Sequence, residues 1–171
     1  LLIDCGDTIQ GSYPAALSRG ETGIIFLNEN EFDAWIPGNH DFDFGFERLL
    51  ELSKKLNGVS ILATNLRMKG CAAWKIFNKN GFKIAVIGAT LPYLDFMSLE
   101  SGKAFIIKDF NIELEKIIPE IMRQSPNAVI LAIHHGTFSP KERGGIDLKK
   151  VAELYPQINI ILGGHSHEDN P

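Results

Sequence analysis

The sequence predicts an α/β fold built on a mixed sheet or on paired sheets, and three observations lead there. Short apolar runs alternate with segments of helical periodicity along the chain. The runs are continuous rather than alternating with polar residues, the pattern of strands covered on both faces. Between two of them stands Asn80-Gly81, a hairpin signal because both turn residues tolerate positive φ, and it adds an antiparallel element. The 171 residues are one domain's worth of chain, enough to bury a core.

The elements follow in order. Residues 1–4 read as a buried strand, followed by a loop rich in Gly6, Asp7, Gly11 and Pro14. Ile24, Ile25, Phe26 and Leu27 predict a short helix over 20–30. Residues 33–36 form a second strand, stopped by Pro37-Gly38. Phe46, Leu49, Leu50, Leu52 and Leu56 have helical spacing, and 60–64 is strand-like. Residues 74–77 and 82–88 are the two arms of the hairpin. Helical periodicity returns over 111–124, where Pro119 is expected to kink or split the helix. A strand at 129–133, a helix at 147–155 and a strand at 158–162 complete the pattern.

Composition narrows the chemistry. Net charge is −4, with the basic residues scattered rather than massed in a stripe, which argues against a nucleic-acid groove. An acidic chain that handles phosphate draws its positive charge from elsewhere, and bound metal is the natural source. No apolar run approaches the ~18 residues of a membrane span. Cys5 and Cys71 make no disulfide framework and read as free thiols. The chain opens inside a strand and closes just after a dense polar motif, so both ends read as internal to a longer protein, and targeting signals are not legible from it.

In an open α/β sheet, ligands gather beyond the carboxyl ends of the strands. After the first strand comes Gly6-Asp7, after the second Gly38-Asn39-His40-Asp41, after 129–133 His134-His135-Gly136, and after 158–162 Gly163-Gly164-His165-Ser166-His167. All five histidines fall in three of these four loops, whereas ordinary core or surface histidines would be dispersed. Imidazole, carboxylate and amide donors suit Zn, Mn, Fe, Co or Ni, and usable thiolates are lacking. Each motif alone has a plainer reading. Gly6-Asp7 is a common turn, Asp43 a helix cap, and His134-His135 an exposed pair at a strand end. Their order, each after a strand, favours a shared metal site.

The series Gly6-Asp7, Gly38-Asn39-His40-Asp41, His134-His135-Gly136 and Gly164-His165-Ser166-His167 resembles the calcineurin-like metallophosphoesterases. Gly6-Asp7-Thr8-Ile9-Gln10-Gly11 and the run from Gly38 to Gly45 look like the branch of 5′-nucleotidases and 2′,3′-cyclic-nucleotide phosphodiesterases. The resemblance covers essentially the whole chain and implies a sandwich of mixed β-sheets flanked by helices, truncated at both ends, with residues 1–171 as a partial catalytic domain. It implies a metal-dependent phosphoester hydrolase acting on nucleotides through a water activated by two divalent ions (Zn, Mn, Fe, Co or Ni).

Carried over residue by residue, the resemblance makes Asp7 the carboxylate shared by both ions, with Asn39, His134 and His165 completing one site and His167 joining Asp7 at the other. His40 faces a phosphate or leaving-group oxygen, oriented by Asp43, with Asp41 as a second candidate partner. His135 falls at a variable position and is not a ligand. The family's first motif, Asp-x-His-Gly, supplies two further ligands and lies upstream of the residues here. Its substrate-binding C-terminal domain is also outside the chain. The resemblance thus implies a fragment able to complete one ion site, weakly active or inactive by itself, and from a protein that is exported. Two other readings stand beside it: a two-metal phosphatase for a non-nucleotide phosphoester, and a non-catalytic metal-binding domain of the same fold.

Overall fold

A computed structural model describes residues 1–92, 106–136 and 146–167. In chain order its first half comprises β1 (Ile3–Asp4), α1 (Tyr13–Ser18), α2 (Glu21–Glu29), β2 (Ala34–Trp35), a 3₁₀ turn (His40–Phe42), α3 (Phe46–Ser53), β3 (Ser60–Leu62), β4 (Leu66–Arg67) and β5 (Cys71–Ala72). The second half comprises β6 (Trp74–Lys79), β7 (Phe82–Ala89), β8 (Ile106–Ile107), α4 (Phe110–Met122), β9 (Ala128–Ile133), α5 (Leu148–Leu154) and β10 (Ile160–Leu162).

These strands build two four-stranded sheets. The first, in the order β1-β2-β3-β5, is parallel throughout. The second, β10-β9-β7-β6, is parallel except for β6, which pairs antiparallel with β7 through the predicted hairpin. Asn80 (φ 51°) and Gly81 (φ 84°) form its turn, both left-handed as that turn demands. A two-stranded ladder of β4 and β8 lies apart from both sheets.

Alternation within each apolar run shows why the strands are hydrophobic on both sides. Ala34 and Ile36 join Leu62, Phe77, Val86 and Ala132 in a core between the sheets, while Trp35 faces the other way into the core beneath α2 and α3. Likewise Val86 points between the sheets, and Ala85, Ile87 and Ala89 pack with Val129, Leu131 and Ile133 against α4 and α5. The layers therefore run helices, sheet, sheet, helices, the sandwich expected from the resemblance. Gly88 marks the tightest approach: a Cβ there would sit 2.1 Å from the Leu62 carbonyl oxygen.

Three expectations change. The segment around Pro14 is not all loop: Ser12 caps α1 by accepting from the Ala15 amide, and Pro14 falls in the first turn, where its lost N–H costs nothing. Pro119 does not split α4, which runs unbroken through it. Burial of Leu114, Ile117, Ile118 and Ile121 outweighs the ~3 kcal/mol a mid-helix proline costs. The helix expected to end at Leu56 stops at Ser53.

Candidate metal centre

Asp7, Asn39, His134 and His165 leave the carboxyl ends of β1, β2, β9 and β10, two from each sheet, and the structure brings them together. Ligand atoms of Asp7, His134 and His165 lie within 4.8 Å of one another. His134 Nε2 is 3.1 Å from Asp7 Oδ2 and 3.1 Å from Asn39 Oδ1. The rings of His134 and His165 meet edge to face at 5.2 Å.

The tautomer of His134 follows from its other nitrogen. Nδ1 lies 2.5 Å from the Cys5 carbonyl oxygen, which can only accept, so Nδ1 carries the proton. In the neutral ring, Nε2 then turns a lone pair towards two oxygens that are acceptors themselves. Lone pairs aimed at one point are favourable only around a cation or a proton. Burial of His134 disfavours its charged form, yet the Asp7 carboxylate overrides this and raises its pKa. Burial also pushes the Asp7 carboxyl up, but the His134 ring prevails and holds it below the ordinary range. The donor set of one carboxylate, one amide oxygen and two imidazoles fits a borderline divalent cation.

The backbone bends sharply to present these groups. Asp7 (φ 62°), His165 (φ 72°) and His167 (φ 53°) are left-handed, a conformation costly for residues with a Cβ and concentrated at functional sites. Gly38 must be glycine: a Cβ there would lie 2.3 Å from Asp7 Oδ1 and 2.6 Å from His134 Cε1.

His40 stands at the mouth of the site, 46% exposed, with Nδ1 2.8 Å from Asp43 Oδ2. That hydrogen bond raises its pKa against the opposing effect of partial burial. Asp41, weighed as an alternative partner, turns inward instead: it is fully buried and accepts backbone N–H groups. Burial pushes its carboxyl up to about 6, while those N–H donors draw it down. His135 is also buried, with Nδ1 donating to the Gly136 carbonyl and Nε2 accepting from the Ile146 amide. It clamps Gly136 to Ile146. His167 is exposed and outside the Asp7–His134–His165 group.

Cys5 and Cys71 are free thiols, each pushed up to about 12 by burial. The groups that sequence reasoning missed are backbone ones: the Cys5 carbonyl that orients His134, and the amides that Asp41 holds. No side-chain letter encodes either.

The profile of calcineurin-like phosphoesterases matches residues 1–169. A venom 5′-nucleotidase of Gloydius brevicauda is 28% identical over 98% of this chain, which spans only 28% of that relative's length. Among solved structures, a 5′-nucleotidase precursor from Thermus thermophilus superposes with a TM-score of 0.80 at 22% identity, covering 100% of this chain and 34% of its own. A sulfate thiohydrolase from Thermus thermophilus, in complex with glycerol, gives 0.79 at 26% identity over 100% of this chain and 31% of its own. A four-layer sandwich, four loops on its two sheets that bring Asp7, Asn39, His134 and His165 together, and a profile match from end to end agree: the chain belongs to the calcineurin-like phosphoesterase family.

Proposed function

We propose that this chain is the ion-binding part of a metal-dependent phosphoester hydrolase that acts on nucleotides, as a 5′-nucleotidase, a 2′,3′-cyclic-nucleotide phosphodiesterase or both. The observation that carries the reading is the convergence of Asp7, Asn39, His134 and His165 beside the His40–Asp43 pair. Asp7, Asn39, His134 and His165 would hold one divalent ion, and Asp7 with His167 would contribute to a second. When bound, such ions supply positive charge against the phosphate oxygens and lower the pKa of water.

The residues' own parts follow from their positions. Asp43 keeps His40 oriented and favours its charged form. With Nδ1 so engaged, Nε2 is the ring nitrogen left to donate a proton to a phosphate oxygen or to the departing alkoxide. Asn39 adds an oxygen donor without adding negative charge, which leaves the ions' charge available to the phosphate.

The nucleotide preference rests on similarity to the venom 5′-nucleotidase. The same relative supports an extracytoplasmic location. Because the chain spans 28% of it, we propose that substrate selection and the second ion's remaining ligands lie in additional segments. One experiment tests the reading. Metal-loaded protein, as this chain and within any longer protein that carries it, is assayed with AMP, 2′,3′-cyclic AMP, glucose 6-phosphate and p-nitrophenyl phosphate. Metal-dependent release of phosphate, with nucleotides preferred in the longer protein, is the expected result. A preference for the sugar phosphate would move the substrate to another class. Ion binding without hydrolysis in any form would identify a non-catalytic metal-binding domain.

A further inference from the structure

Asp41 has no task in the chemistry above, yet it is fully buried, and a buried carboxylate is costly unless its acceptor sites are filled. Here they are filled from the two loops that carry Asp7 and Asn39. Oδ2 accepts from Gly38 N at 2.7 Å and from Asp7 N at 2.9 Å. Oδ1 accepts from Thr8 N at 2.8 Å and Ile9 N at 3.0 Å. Three consecutive amides, 7 to 9, thus point into one carboxylate from a turn that places Asp7 at φ 62°. Such a run of converging N–H groups is an anion-holding concavity, and Asp41 is the anion.

We propose that Asp41 is the positioning residue of the metal centre: it fastens the loop after β1 to the loop after β2 and so sets the Asp7 carboxylate against Asn39 and His134. This rests on the metal-centre reading above. A second strap has the same effect, since the His40 amide donates to Asp7 Oδ1 at 2.8 Å, leaving Oδ2 for His134. Asp41 fixes the backbone of Asp7 and the His40 amide fixes the rotamer. An uncharged replacement of the same shape fails in this role. An Asn at 41 keeps one acceptor oxygen but turns an NH₂ group towards backbone donors, so the loop must open.

Mn²⁺ titration calorimetry of the 171-residue chain and its variants tests this. Asp41→Asn is expected to weaken Mn²⁺ binding by about 10–100-fold, the usual effect of removing a group that orients a ligand. Leu49→Ala, in the core beneath α3 and far from any ligand role, is the control for lost stability. It should lower the melting temperature and leave Mn²⁺ affinity unchanged. Wild-type affinity in Asp41→Asn, or an equal loss in Leu49→Ala, overturns the positioning role. If the wild type takes up no Mn²⁺, or His165→Ala binds it as tightly as the wild type, the metal-centre reading fails first and takes this proposal with it. Should Asp41→Asn not fold, hydrogen exchange in the EDTA-treated wild type decides. Slow exchange of the Asp7, Thr8 and Ile9 amides is expected, and exchange at the rate of open chain overturns the proposal.

Discussion

His40 and Asp41 are neighbours in sequence with opposite fates, and the 3₁₀ turn separates them. At three residues per turn, Asp43 lies beneath His40 on one face, whereas Asp41 is rotated by about 120° towards the interior. His40 is accordingly at the surface with its carboxylate partner, and Asp41 is locked among backbone amides. Both carboxylates stood as candidate partners because letters alone do not reveal the turn's pitch. If His40 is a proton donor and not a ligand, His40→Ala lowers kcat by about 10²–10⁴-fold at unchanged metal content, read by steady-state kinetics and elemental analysis in the active form. Loss of metal in that variant would make His40 a ligand instead. His135 shows the opposite limit of sequence reading. Its exclusion as a ligand agrees with its engagement by Gly136 and Ile146, but nothing in the letters announced that clamp.

Elements with a long apolar stripe were legible, and those set by pairing across the fold were not. The hairpin and the helix now seen as α4 could be read from local pattern, since their turn residues and periodicity are written in sequence. The two-residue strands β4, β5 and β8 carry no such signal, because only their partners make them strands. The first turn of α4 offers a test of element-scale electrostatics. Lys108 and Lys116 both contact Glu113 at 2.8 Å, and the Lys108 hydrogen bond leads in holding the Glu113 pKa below its ordinary 4.5. A depressed carboxylate contributes stability above its unfolded pKa and loses it as pH falls through the folded value. Glu113→Gln should therefore cost about 0.2–1 kcal/mol in urea denaturation at neutral pH, with the difference from wild type vanishing in acid below the folded pKa. An equal deficit at both pH values would show that packing, not charge, is at work.

Across the whole molecule, two sheets meet with almost no space between them at Gly88 and Leu62, and Asn65 bonds in both directions to the Thr90 backbone just beyond. The apolar runs alone predicted covered strands and left a mixed sheet or paired sheets open, whereas the family resemblance named the two-sheet sandwich that the structure shows. Gly88→Ala would drive a methyl into the Leu62 backbone, which cannot swing aside as a side chain can. We expect a loss of about 3 kcal/mol, seen as a lowered melting temperature. An unchanged melting temperature would mean that the sheets can slide apart freely.

The four loops proposed to hold the ion are shared equally between the halves of the sandwich, Asp7 and Asn39 from one and His134 and His165 from the other. A cation gripped by all four would act as a rivet through the molecule as well as a chemical centre. Mass action then ties heat resistance to ion supply: at a free concentration about one hundred times Kd, the gain is about 2.7 kcal/mol. Calorimetric scans with graded Mn²⁺ should rise accordingly, and chelation should return them to a common floor. A chain so fastened would lose heat resistance when starved of metal while keeping its fold, and on the function proposed above its chemistry would be lost with it.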